Sequence, residues 1–348
     1  GASINKNELI PLTFGECFNV SPLLSNPATL EYKVHDGAIE DIIEVRDNGV
    51  PVAATKTIAS GKFTLAAQPF GQVTCSVQGR KATVWDKTVS KVIQNIVLNY
   101  GGTNKLVSGD LDTAQLASFD TDNPQPIGLY LQDRDNTLSI CNQIASSVGA
   151  QLSMSRLGKL QLLKIQLPAP GEVFEIGPDD IIQNSISVSS KLPVRAAYKV
   201  NYNRNWTVQE GLQTGIPEEH KKMYALEYVS VTASDLSVKA SYALDEEPTA
   251  VDTMLLTEAD ATAEASRLLA LFKQPLYTIT FTGTARLVQL TLGSAVTLTY
   301  PRFGSDFGKA GQVIGLSIDW SDLTVKADVL VSYDLNTISN MLREDSSL

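Results

Sequence analysis

Strict two-residue alternation is the pattern that most constrains this chain. Val194, Ala196, Tyr198, Val200 and Tyr202 alternate with polar neighbours, and so do Tyr277, Ile279 and Phe281. Val296, Leu298 and Tyr300 continue the pattern, then Ile314, Leu316, Ile318 and Trp320, and finally Val325, Ala327, Val329 and Val331. Successive side chains of a strand point to opposite faces, so each run marks a strand with one buried face. Five such strands with thin polar turns predict a closed or nearly closed barrel, because closure removes unpaired edges. One helix interrupts them. Thr257 caps it, Asp260 is its capping-box acid, and Ala261, Ala265, Leu268 and Phe272 form its buried stripe.

The first eighty residues read as an all-β meander. Tyr32 and Val34 lead into Asp36-Gly37, and Ile43 and Val45 into Asn48-Gly49, followed by Val50 and Val52. Both dipeptides reach φ > 0 at little cost, as a type I′ hairpin requires, so both are expected to be hairpin turns. Ser60-Gly61 precedes Phe63 and Leu65, and Gly71 precedes the alternating Val73, Cys75 and Val77. Short strands at this spacing predict a small sandwich or barrel over 1–84.

A second unit is expected over 85–175. Asp86 is the expected N-cap of a helix with Val89, Val92, Ile93, Ile96 and Val97 on one face and Gly101 as its stop. That stripe is expected to pack on the preceding strands. The stretch 101–126, rich in Asp, Thr, Asn and Pro, reads as a long polar loop. Leu138, Cys141, Ala145 and Val148 then mark a helix ending at Gly149, followed by a hairpin of 151–155 and 160–165 turning at Leu157-Gly158. The barrel is expected over 176–335 with one helix at 257–273, and a C-terminal tail over 336–348. The fold class is therefore mainly β with inserted helices (α+β), built from barrel or sandwich domains.

Charge excludes one large class of function. The chain carries 28 Lys and Arg against 38 Asp and Glu, a formal charge of −10. Nucleic-acid affinity comes mostly from phosphate neutralisation, so tight nucleic-acid binding is not expected. The longest apolar run, Leu268 to Phe272, falls far short of a bilayer span, and no secretory leader opens the sequence. Gly1-Ala2-Ser3 reads as a scar of tag removal, so the chain is expected to be part of a longer protein. Cys17, Cys75 and Cys141 form no CxxC pair and read as small buried hydrophobes of a reducing compartment.

Catalytic motifs are missing from the sequence. It contains no GxSxG, HExxH or GxGxxG and no Cys/His cluster of zinc type. Gly304 to Gly308-Lys309 is too closely spaced for a phosphate loop, lacks its Ser or Thr, and reads as a hairpin turn. Acid pairs occur at Asp110/Asp112, Asp120/Asp122, Asp133/Asp135 and Glu246/Glu247. All lie where acids form turns, and the first two pairs lack EF-hand spacing for calcium. Asn205-Trp206-Thr207 matches a glycosylation acceptor by chance. Tyr198, Tyr202 and Trp206 offer an aromatic platform for sugar, although Tyr198 and Tyr202 share a strand's apolar face and read better as core. His35 beside a turn and His220 in a charged run are both expected to be solvated. No catalytic, cofactor-binding or metal-ligating residue is assigned.

Several stretches carry a family resemblance. They are Leu12-Thr13-Phe14-Gly15-Glu16-Cys17-Phe18-Asn19-Val20-Ser21-Pro22, Leu30 to Gly37, Val45-Arg46-Asp47-Asn48-Gly49-Val50-Pro51-Val52 and Phe63-Thr64-Leu65 with Val77-Gln78-Gly79. Further on come Asn203-Arg204-Asn205-Trp206-Thr207-Val208-Gln209, Asp252-Thr253-Met254-Leu255-Leu256, Leu292 to Val296 and Arg302-Phe303-Gly304. From about residue 11 to 335 the chain resembles the tail-tip (baseplate) hub proteins of long-tailed bacteriophages. The resemblance implies β-barrel-type domains with inserted helical pieces, assembled as a homotrimer whose barrels form a pseudo-sixfold ring matching the hexameric tail tube. It implies partners among other phage tail proteins (the distal tail ring, tape measure, and fibres or spike), with DNA passing through without specific binding. It further implies residence at the virion tail tip after assembly in the host cytoplasm, no cofactor and no catalytic residues. Family members are usually longer.

The expected function is thus a non-enzymatic structural hub joining tail tube to tip and forming part of the DNA ejection conduit. Two other readings stand beside it: a host-surface carbohydrate-binding tail module, and a cell-wall hydrolase using one of the acid pairs.

Overall fold

The computed structural model describes residues 8–168, 173–210, 212, 215–245 and 247–332, so the expected tail at 336–348 lies outside the described residues. The chain is mainly β with inserted helices, arranged in open sheets of two to six strands.

The N-terminal region is a sandwich. One sheet orders its strands Val50–Val52, Ile39–Asp47, Val73–Arg80, Leu12–Val20 and Gly128–Leu131. The other orders Leu23–Asn26, Glu31–Lys33, Lys62–Leu65 and Ala54–Thr57. Cys17, Val20, Tyr32, Val34, Ile42, Phe63, Cys75 and Val77 fill the space between them, with Tyr32 stacked on Phe63 at 5.3 Å. Asn48 and Gly49, at φ 48° and 84°, make the expected hairpin between Ile39–Asp47 and Val50–Val52. Asp36-Gly37 does not make one. It joins a strand of one sheet to a strand of the other, because Glu31–Lys33 pairs with Lys62–Leu65 and Ile39–Asp47 with Val73–Arg80.

Helix α1 (Val89–Asn99) begins two residues later than the sequence suggests. Thr88 is its N-cap, while the Asp86 carboxylate accepts from Asn95 at 2.8 Å. Its apolar stripe packs chiefly on two other helices, α2 (Thr113–Asp122) and α3 (Thr137–Ser146), rather than on the preceding strands. The polar stretch 101–126 is accordingly not one long loop. Two 3-10 turns and α2 occupy it, and Leu111, Leu116 and Phe119 enter the core from it. In α3, which Asn136 caps, the buried side is Ile140, Cys141, Ile144 and Ala145, whereas Leu138 is exposed. Gly149 at φ 68° ends the unit, and Ala150–Met154 pairs with Leu160–Lys164 as expected.

The five alternating strands of the second half divide between two sheets. Ala197–Tyr202 lies at the centre of a three-stranded sheet, between Val229–Ser234 and Ala250–Asp252. The other four belong to a six-stranded sheet ordered Phe174–Ile176, Ala295–Tyr300, Ser305–Asp319, Thr324–Ser332, Leu276–Gly283 and Ser187–Val188. Periodicity fixes which face of a strand is buried, not which neighbour it takes. The six-stranded sheet is not closed by strand pairing. Instead one short segment lies along both of its edges: Phe174–Ile176 runs parallel to Ala295–Tyr300, and Ile181 to Val188 runs antiparallel to Leu276–Gly283. Ile176 and Ile181 of that strap are buried with Ile279, Phe281, Val296, Val313 and Val329.

Besides α2, two more helices are present that the sequence reading lacked, α4 (Glu218–Ala225) and α5 (Leu236–Tyr242). The expected third, α6 (Glu258–Phe272), is capped as its sequence indicates. Thr257 accepts from the Asp260 backbone at 3.1 Å, and its hydroxyl donates to the Asp260 carboxylate at 2.6 Å. α6 lies across the three-stranded sheet, and its Ala261 and Ala265 share one apolar core with Phe14, α1, α2, α3, Val200 and Leu255.

Candidate functional site

The most elaborate polar arrangement sits where the N-terminal sheet meets the 203–209 segment. Asn19 lies within the strand Leu12–Val20, where the register against Val73–Arg80 shifts, and its φ of 55° is one that asparagine tolerates better than most residues. Its side chain is fully buried in the junction. Its amide nitrogen donates to Asn205 Oδ1 at 3.0 Å, to the Thr207 carbonyl at 2.7 Å and to Gln209 Oε1 at 3.3 Å. Asn205 in turn donates to the carbonyls of Tyr224 and Leu226 at 2.7 and 3.1 Å, tying in the end of α4. Gln209 reaches Gln72 at 3.3 Å. The backbone follows, with Trp206 N–H donating to the Phe18 carbonyl at 3.2 Å.

A buried cation stands beside this network. Arg46, 5% exposed, donates to Ser76 Oγ from both terminal nitrogens at 3.0 and 3.1 Å and ion-pairs with Glu44 through Nε. Its guanidinium lies 5.4 Å from the Phe18 ring centre and 5.5 Å from that of Tyr224, which stack on each other. Arg204 lies 4.3 Å over Trp206, and Trp206 meets Tyr130 edge-on at 6.0 Å. Planar cations on aromatic faces hold charge out of water without needing a second acid. Chemically the junction is a clasp. It has acceptors, amides and a guanidinium, but no nucleophile paired with a base.

This placement settles several sequence-derived candidates. Asn205 is buried and its amide nitrogen is bonded inside the fold, so the Asn205-Trp206-Thr207 triplet presents no free acceptor for a glycan. Tyr202 is buried and Tyr198 packs on Phe272 at 5.7 Å, while Arg204 covers Trp206, so the three do not form an open platform. Asn19, Arg46, Asn205 and Gln209 lie in stretches singled out by the resemblance, but no local pattern marked them as one site.

The acid pairs are dispersed into local structure. Asp110 accepts from the Val107 backbone at 2.8 Å, Asp112 caps α2 through Gln115 N–H at 3.2 Å, and Asp120 accepts from the Thr88 hydroxyl. Asp122 lines a groove of about 600 Å³ with Asn123, Lys164 and Gln312. There Lys164 donates to Asn123 at 2.6 Å, and burial lowers its pKa. Asp133 and Asp135 are exposed, as is Glu247, and Glu246 lies outside the described residues. Among the described residues no three His, Cys, Asp or Glu side chains converge as a metal site. The turn at Gly304 is a hairpin turn, and Gly308-Lys309 lies within the strand that follows. No helix among the described residues is long and apolar enough to cross a membrane.

His35 departs most from expectation. It is fully buried, not solvated, because the Phe14 ring meets it edge-on at 5.8 Å and Gly61 closes over its backbone. Nδ1 accepts from the Thr13 backbone N–H at 3.1 Å, which places the proton on Nε2, where it has no partner. Burial, reinforced by the nearby Arg80 charge, pushes its pKa down to about 4. His220 is exposed on α4. The three cysteines are buried and unpaired, and burial raises the pKa of all three thiols, that of Cys141 to about 12.

No protein-family model matches the chain, and no curated protein matches it. Solved structures show partial likeness, among them three tail proteins. A tail protein from Neisseria meningitidis MC58 is 13% identical with a TM-score of 0.41, over 82% of this chain and 81% of that one. The 43 kDa tail protein of prophage MuSo2 from Shewanella oneidensis is 11% identical with a TM-score of 0.37, over 93% of this chain and 98% of that one. The prophage tail protein gp18 from Listeria monocytogenes EGD-e is 12% identical with a TM-score of 0.32, over 98% of this chain and 94% of that one.

Proposed function

We propose that this chain is a non-enzymatic structural subunit of a bacteriophage tail: a trimeric hub at the distal end that joins the tail tube to tip or fibre proteins and forms part of the DNA ejection conduit. The observation that carries the reading is the junction itself. Two stretches on which the sequence resemblance rests, Leu12 to Pro22 and Asn203 to Gln209, meet through Asn19 and Asn205 and share one buried network. A network of this kind rigidifies the contact between sheets and supplies no reaction chemistry, as an assembly subunit requires. The net charge of −10 agrees with a conduit that releases DNA rather than gripping it. The neighbours on this reading are the distal tail ring, the tape measure and the fibres or spike.

The test is the solution mass by light scattering, with negative-stain images of the same fractions. A trimer forming a ring with a central opening is the expected result. A monomer at every concentration, together with no such ring in intact virions, overturns the reading. The structure favours neither rival: the aromatics of the sugar platform are packed inside or covered, and the acids needed for hydrolysis are spread among caps, turns and exposed sites.

A further inference from the structure

Asn19 is fully buried, yet among the described residues no donor reaches its Oδ1. Turning the amide over does not mend this. The Asn205 side chain is fixed by its own donations to the Tyr224 and Leu226 carbonyls, so its Oδ1 faces Asn19, as the Thr207 carbonyl does. A reversed Asn19 would set its oxygen against both acceptors. Thr74 is fully buried as well, and its hydroxyl has no partner among the described residues. Ser76 is the third member of the group. Its Oγ accepts from both terminal nitrogens of Arg46 at 3.0 and 3.1 Å and from the Asn19 N–H at 3.4 Å. Those donors occupy both lone pairs and leave the Ser76 hydroxyl proton needing an acceptor.

The three residues share one place in the fold. Val73, Cys75 and Val77 enter the sandwich core, so Thr74 and Ser76 stand side by side on the opposite face of Val73–Arg80. Arg46 is opposite Thr74 in the register and reaches Ser76. Asn19 sits where the register of Leu12–Val20 against Val73–Arg80 shifts, bonded through its N–H to Ser76. Side chains two positions apart on a strand are roughly 6–7 Å apart, about the span of two hydrogen bonds through one intermediate atom.

We propose that this group is the binding site of a single internal water, which accepts from the Ser76 and Thr74 hydroxyls and donates to Asn19 Oδ1. Buried waters ordinarily make about three such bonds to groups the protein leaves unsatisfied. Charge selects water over an ion. The Arg46 guanidinium stands beside the site and repels a cation. An anion would face the unpaired Asn19 oxygen, and the Arg46 charge is already balanced by Glu44. A neutral molecule that both donates and accepts meets every demand. The clasp between the N-terminal sheet and the 203–209 segment thus holds a solvent molecule as a fixed part. The assignment stands on the junction alone and does not rest on the trimer or the tail role.

A crystal structure of the full chain, at a resolution that orders solvent, tests the site directly. The expected result is one ordered water within hydrogen-bond distance of Asn19 Oδ1 and of the Thr74 hydroxyl. A dry site, an ion in that place or a protein donor on Asn19 Oδ1 overturns the proposal. Variants test it in solution. Thr74→Val keeps the shape and removes the hydroxyl, whereas Thr74→Ser keeps the hydroxyl and removes the methyl. In deuterium relaxation dispersion of the solvent, the long-lived water of wild type is expected to persist in Thr74→Ser. In Thr74→Val it is expected to exchange about tenfold faster, the equivalent of one lost hydrogen bond. A residence time that followed stability alone would fall in both variants, and that result overturns the proposal. An unchanged residence time in a folded Thr74→Val protein overturns it as well.

Discussion

The side-chain amide of Asn19 donates to the carboxamide oxygen of Asn205 at 3.0 Å, across 186 positions of sequence. Asn19→Ala removes that bond together with those to Thr207 and Gln209, and leaves three acceptors facing a void. It also places alanine at φ 55°. The expected loss is about 3 kcal/mol, read as a lowered midpoint in urea unfolding. Asn19→Asp is expected to lose more, because it sets a carboxylate against the same acceptors.

Burial of neutral His35 makes stability depend on acidity. Its pKa falls from 6.5 to about 4 on folding, so between those values the unfolded chain binds more protons. The stabilisation from the neutral ring is complete above pH 6.5 and is lost as pH falls toward 4. Over that window the loss is about 3 kcal/mol. His35→Asn keeps an acceptor for the Thr13 N–H and does not titrate. Unfolding curves at a series of pH values are expected to be flatter for this variant across the window.

Gly15 is expected to tolerate no side chain. Its φ is +62°, and a Cβ there would lie 1.7 Å from the Ile127 carbonyl oxygen, which accepts from the Glu16 N–H at 3.1 Å. Because the obstacle is backbone at a sheet edge, relief means opening the strand pair. Gly15→Ala is expected to cost about 4 kcal/mol or to prevent folding, as judged by soluble yield and thermal melting.

Asp112 acts as a helix cap. Asp112→Ala is expected to cost about 1 kcal/mol, and Asp112→Asn much less, since asparagine also caps. Calcium or a chelator is expected to leave the melting temperature of all three proteins unchanged. A calcium-dependent rise lost in Asp112→Ala would contradict the cap assignment.

Local signals were legible in the sequence, and long-range partners were not. Asn48-Gly49 and Thr257 with Asp260 state their own conformation, and the structure has the turn and cap they specify. Asp36-Gly37 carries the same turn chemistry, but a turn does not specify which sheet receives the next strand. Strand Ala197–Tyr202 alternates like the C-terminal strands yet joins a different sheet, because its partners are chosen by α6 and the N-terminal core. Helix α2 was hidden by its polar composition, since only Leu116 and Phe119 along it are buried. His35 looked solvated beside its turn. Its burial depends on Phe14 and Gly61, which lie far away in the chain. The Asn19–Asn205 junction is of this kind too, for amides at that separation have no periodicity to betray them.

The strap over the six-stranded sheet has a consequence for how the chain comes to be made. Ser185 hydrogen-bonds to Thr282, 97 positions later, and Phe174–Ile176 waits for Ala295–Tyr300, later still. A ribosome therefore releases the seal well before the surfaces it seals. Until the last strand emerges, Ile176 and Ile181 have no core to enter. The C-terminal sheet is thus committed to folding all at once, only when Thr324–Ser332 has emerged, while the N-terminal sandwich completes its pairings among residues already outside.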